Sequence, residues 1–136
     1  MEKLIFGFVF LAAFSANVLA EDWTYITRDE DSALWAKKGS VWQTGETLKM
    51  WTMTDYRVAI PSLNRPPAPV TLRSTVSLFE YDCIDHRTRI LEGKAYEDAK
   101  GTGRIAFSID KPEAWAYVKP GSLVEKHWNL VCRKPD

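Results

Sequence analysis

The chain has 136 residues, with 18 Lys and Arg against 18 Asp and Glu, a formal net charge of zero and 46% hydrophobic residues. Basic residues are spread along its length, which excludes the electrostatic footprint of a nucleic-acid or anionic-membrane binder. The length suits one domain with one hydrophobic core.

The first segment reads as an export signal. Lys3 supplies a positive start, an uncharged apolar run follows from Leu4 to Ala13, and Val18-Leu19-Ala20 offers small residues at both critical positions of a cleavage site. The apolar run is short for the roughly 20 residues of a membrane span. Residues 1–20 are therefore expected to be removed, leaving residues 21–136 as a soluble exported domain with no membrane insertion. Glu21 stands where a lipid-anchoring cysteine would sit, so no acyl anchor is expected.

The exported part reads mainly as strands. Residues 23–27 are aromatic and β-branched, residues 28–32 form a charged turn, and residues 33–37 form a short strand. Val41 and Trp42 pair locally before a turn at Thr44-Gly45-Glu46. Residues 47–56 alternate, with both faces partly apolar, as an interior strand requires. Residues 60–69 hold four of the seven prolines and read as a stiff loop. A strand over residues 71–82 pairs with residues 87–96 as a hairpin. Residues 97–103 turn, residues 104–109 form a sixth strand, and residues 115–118 are extended. Pro120-Gly121 then breaks the chain before a helix whose Ser122 and Glu125 have capping-box spacing. Val124, Trp128, Val131 and Cys132 share one helical face, expected to pack on the sheet, while His127 is expected half-exposed beside Trp128.

Cys83 and Cys132 are the only cysteines. In an oxidising compartment such a pair forms a bridge, and closing so long a loop stabilises by roughly 4 kcal/mol in the chain-entropy model. An alternative is open. His86 and His127 are the only histidines, and with the cysteines they form C-x2-H and H-x4-C pairs compatible with tetrahedral zinc.

Other chemistry is sparse. Asp85 and His86 are adjacent and would point to opposite faces of a strand, no G-x-S-x-G elbow exists, and His86 reads as a surface residue in the Cys83–Arg87 turn. Gly101-Thr102-Gly103 is too short for a phosphate loop, so no cofactor is expected. Arg87 and Arg89 share a strand face and could hold an anion, or pair with Glu80 or Asp82 across the hairpin. Trp42 and Trp51 have polar neighbours and could stack a sugar or grip a peptide. Asn64, Arg65 and Pro66 form a loop surface that could meet a partner.

Phe79-Glu80-Tyr81-Asp82-Cys83, the R-x-R-x-L of Arg87 to Leu91, Tyr96, Gly101-Thr102-Gly103, and the run Trp115-Ala116-Tyr117-Val118-Lys119-Pro120-Gly121-Ser122 with Glu125, Trp128 and Cys132 together resemble the surface-adhesin protein E family. The resemblance is densest in the C-terminal half. It implies an antiparallel sheet with a helix packed on it, a disulfide between the counterparts Cys83 and Cys132, and binding to extracellular-matrix proteins. The Pro-rich residues 61–69 match no family motif, and the anchoring cysteine of a surface-displayed adhesin is missing.

The expected fold is α+β: an antiparallel sheet of about six strands, a C-terminal helix on it and one disulfide. The expected function is an exported, non-enzymatic binding module that contacts extracellular or envelope proteins through Asn64, Arg65, Pro66, Arg87, Arg89, Trp42 and Trp51. The alternatives are a periplasmic accessory or structural envelope protein without adhesive role, and a small exported enzyme or metal-binding domain using Cys83, His86, His127 and Cys132.

Overall fold

Two long alternating segments dominate the chain and become its two longest strands. In the computed structural model, which describes residues 23–37, 39–62 and 70–133, these are β4 (Thr47–Ser62) and β5 (Val70–Asp82). They pair antiparallel at the centre of one sheet. The other strands are β1 (Trp23–Arg28), β2 (Ser32–Lys37), β3 (Trp42–Thr44), β6 (Arg87–Tyr96), β7 (Ile105–Ile109) and β8 (Ala116–Tyr117). The sheet has eight strands: a path of six, β1-β2-β4-β5-β6-β7, with β3 added to β4 and β8 added to β6. The expected six strands are thus the main path. The two extra strands come from the local pairing at Trp42 and the extended stretch after Trp115, both short enough to read as connections.

The largest departure from expectation is at the Pro-rich stretch. Ile60, Pro61 and Ser62 belong to β4, in register with Leu72, Thr71 and Val70, rather than to a loop. Strand β2 pairs only with residues 52–56 of β4, so past Tyr56 that side of the strand lies at an edge. A proline's missing N–H is tolerated there. Residues 63–69 lie outside the described residues.

Residues directly opposite in register share a face. On one face Leu48, Met50, Phe79 and Tyr81 line up with Ala36 to receive the helix α1 (Leu123–Cys132). Tyr81 is 0% exposed, Met50 1% and Trp128 8%, and Val118, Val124 and Val131 complete this core. Each such side chain contributes about 1.5–3 kcal/mol on burial. The helix starts as its sequence predicts: Ser122 Oγ accepts from the Glu125 backbone N–H at 3.2 Å. Glu125 Oε1 accepts from the Gly121 N–H at 3.4 Å, one residue before the cap. Gly121 has φ +78°, a left-handed conformation that glycine adopts freely.

Cys83 follows directly on β5 and is bonded to Cys132, the last residue of α1, with Cα atoms 5.4 Å apart. The bridge ties the free end of the helix to the same strand end that Tyr81 packs from below. Replacing both cysteines by serine is expected to lower unfolding free energy by about 2–5 kcal/mol. Urea denaturation of the double variant against the oxidised protein measures it.

Candidate functional site

The two faces of the β5–β6 hairpin do different work, and alternation decides which residue goes where. Phe79, Tyr81 and Cys83 turn toward the helix; Glu80 and Asp82 turn away, directly opposite Arg89 and Arg87. Glu80 and Asp82 are 7% and 8% exposed, and such burial of a carboxylate requires a partner. Arg89 Nε donates to Glu80 Oε1 at 2.6 Å, and Thr47 Oγ1 donates to Oε2 at 2.9 Å. Arg87 Nε donates to Asp82 Oδ2 at 2.9 Å. Asp82 also builds the hairpin turn, since its Oδ1 accepts the backbone N–H groups of Ile84 and Asp85, both at 3.1 Å. The Asp85 N–H and then the Arg87 guanidinium hold the Asp82 carboxyl below its usual range.

Trp115 covers this pair of ion pairs. Its ring lies 4.8 Å from the Arg87 guanidinium carbon and 4.6 Å from that of Arg89. Tyr117, two residues on, is in register with Arg87 and is 81% exposed. Ile84 at the turn tip is 78% exposed. The result is an aromatic and guanidinium surface whose charges are already balanced from beneath. The arginines are held by carboxylates across the hairpin and do not form an open anion site.

On the opposite face the structure corrects the reading of His127. It is 3% exposed rather than half-exposed, because it lies on the sheet-facing side of α1 with Trp128. Its ring packs edge-on against Phe79, centroids 4.6 Å apart, and its Nδ1 lies 2.6 Å from Tyr81 Oη. Burial pulls its pKa from 6.5 down to about 4 and pushes the Tyr81 phenol well above its ordinary range. The contact is therefore a hydrogen bond between a neutral imidazole and a protonated phenol. His86 goes elsewhere, stacked on Trp128 with centroids 3.9 Å apart. It and Asp85 stand exposed in the turn between Cys83 and Arg87, the place expected for His86. The zinc alternative is not assembled: the two sulfurs bond to each other, and no cluster of three or more possible metal ligands occurs among the described residues.

Trp51 lies on the outer face, away from the helix, and lines a cleft of about 280 Å³ with Val76, Glu92, Lys94, Tyr96 and Asp110. Trp42 stands apart on β3, 40% exposed. Asn64, Arg65 and Pro66 lie outside the described residues. At the far end of the sheet, a wider cleft of about 700 Å³ sets Arg28, Arg57 and Arg73 among Asp29, Glu30 and Asp55, so its charges balance. Trp115, Tyr117, Glu92, Lys94, Tyr96 and Asp110 were not singled out as site residues by sequence reasoning. The one available signal was the Trp115, Tyr117 alternation, which places both on one strand face.

Residues 23–133 match the family described as surface-adhesin protein E. The chain belongs to that family. Its fold is similar to solved structures of Haemophilus influenzae protein E. One crystal form has a TM-score of 0.57 at 10% identity, covering 82% of this chain and 87% of that one. A second structure gives 0.55 at 10% identity, covering 82% and 83%. Protein E from non-typeable Haemophilus influenzae gives 0.51 at 13% identity, covering 79% and 74%. No curated protein matches the sequence. The family is one of surface adhesins, and no helix among the described residues is long and apolar enough to cross a membrane.

The buried histidine makes fold stability depend on pH. Between pH 6.5 and about 4 the unfolded chain takes up a proton that the folded His127 ring refuses. Stability is therefore full above pH 6.5, falls as pH drops through this window, and levels below it, with a total loss of about 3 kcal/mol. Urea midpoints measured from pH 7.5 to 4 are expected to show this decline. His127→Phe is expected to flatten it, because a ring that cannot titrate gives no proton uptake on unfolding.

Proposed function

We propose that the chain is an exported, non-enzymatic adhesin-type module that binds extracellular or envelope proteins through the surface formed by Trp115, Tyr117, Arg87 and Arg89. Signal cleavage after Ala20 would release it without a lipid anchor, into the periplasm or the medium. The observation that carries the reading is the placement of Trp115 over two arginines whose charges are already neutralised by Glu80 and Asp82. Aromatic residues and arginine are the types enriched at the energetic centres of protein interfaces. A guanidinium held flat by a carboxylate and an aromatic ring loses little freedom when a partner docks, so its ordering cost is already met. The absence of net positive charge on this surface suits a protein partner rather than a polyanion. Family membership supports the same reading.

The test is binding of the purified protein to immobilised extracellular-matrix and envelope proteins. The double variant W115A/Y117A leaves both ion pairs in place and is expected to weaken a detected interaction by about tenfold or more, the loss of a hot spot. Unchanged binding would move the contact off this surface. Cell fractionation completes the test: recovery of the mature chain strictly in the periplasm would overturn the extracellular part of the reading.

A further inference from the structure

We propose that the cleft beside Trp51 is a carbohydrate site that takes a single pyranose ring of a glycan. It lies on the same sheet face as Trp115 but does not depend on the protein-binding surface proposed there.

Its floor and walls come from alternation. Trp51 on β4, Val76 on β5, and Glu92, Lys94 and Tyr96 on β6 all point to the outer face, and Asp110 closes the rim just after β7. Neither Trp51 nor Tyr96 makes a ring contact with another aromatic among the described residues. Glu92, Lys94 and Asp110 make neither an ion pair nor a side-chain hydrogen bond there. Two aromatic rings without ring partners and three charged side chains without polar partners therefore converge on one hollow. This contrasts with the neighbouring Glu80–Arg89 and Asp82–Arg87 pairs, in which the charges neutralise each other.

The chemistry of the lining selects the ligand. An apolar platform ringed by acceptors and one donor matches a molecule with an apolar face and several hydroxyl groups around its edge. A pyranose is such a molecule: its C–H face stacks on an indole, and its hydroxyls donate to carboxylates and accept from an ammonium group. The volume of about 280 Å³, at the lower end of the about 300–1,000 Å³ of small-molecule pockets, accommodates one pyranose ring. Glu92 and Asp110 repel a phosphorylated or carboxylated ligand, and Lys94 repels an organic cation that the aromatic rings and acids would otherwise attract.

The experiment is saturation-transfer NMR on the purified protein with methyl pyranosides of glucose, galactose, mannose and N-acetylglucosamine, and with tetramethylammonium as the cationic comparison. At least one pyranoside is expected to bind, with a dissociation constant of about 1 mM. Glu92 and Asp110 are exposed, so the E92Q/D110N variant keeps the fold and is expected to weaken that binding by about tenfold or more. Trp51→Ala is expected to abolish it, and W115A/Y117A to leave it unchanged, which separates this site from the protein-binding surface. The proposal is overturned if no pyranoside binds, if E92Q/D110N binds as the wild type does, if W115A/Y117A removes the signal, or if tetramethylammonium displaces the sugar.

Discussion

The alternation of side chains through Phe79-Glu80-Tyr81-Asp82-Cys83 is the constraint on which the rest of the molecule depends. One strand delivers an apolar and sulfur-bearing set to one face and two carboxylates to the other. The inward set receives the helix through Tyr81, which has no exposure at all, and through the bridge from Cys83. The outward set must be neutralised because it is nearly buried, and β6 supplies the two arginines in register to do so. A one-residue slip between these strands would leave both carboxylates unpaired and turn Tyr81 toward solvent, so register is strongly specified here.

This arrangement links core and surface directly. Trp115 can rest on the arginines because Val118, three residues later, is buried in the helix core and its N–H donates to the His86 carbonyl at 3.0 Å. The short strand β8 is thus held at both ends: by pairing with β6 beside Arg87 and by burial of Val118 beneath the helix. The exposed aromatic surface is anchored by core packing rather than by a flexible loop. A surface so held keeps its shape before a partner arrives, which favours binding by reducing the ordering cost.

The buried Tyr81–His127 contact is a different kind of feature. It satisfies two polar groups inside an otherwise apolar interface, where burial keeps the imidazole neutral. Its geometric role is to fix the rotation of α1 over the sheet, since apolar packing alone tolerates several helix settings whereas a hydrogen bond of 2.6 Å does not. The disulfide restrains the helix end, and this bond restrains the turn before it.

Strand positions, the hairpin at residues 82–87, the helix cap and the apolar face of the helix were legible in the sequence, because each rests on short-range rules of alternation, turn chemistry and capping. So was the family, through motifs spaced along the C-terminal half. Three things were decided only by the tertiary structure. Pro61 joins a strand because the neighbouring strand stops short of it, which no local rule reveals. His127 is buried because the face of α1 that meets the sheet is wider than the apolar residues alone define, and Tyr81 supplies the partner from 46 residues away. The cleft at Trp51 draws its charged rim from Glu92, Lys94 and Asp110, which are unremarked along the chain and meet only when β4, β5, β6 and β7 lie side by side. Sequence sets which face each side chain takes; the pairing of distant strands decides which side chains then share it.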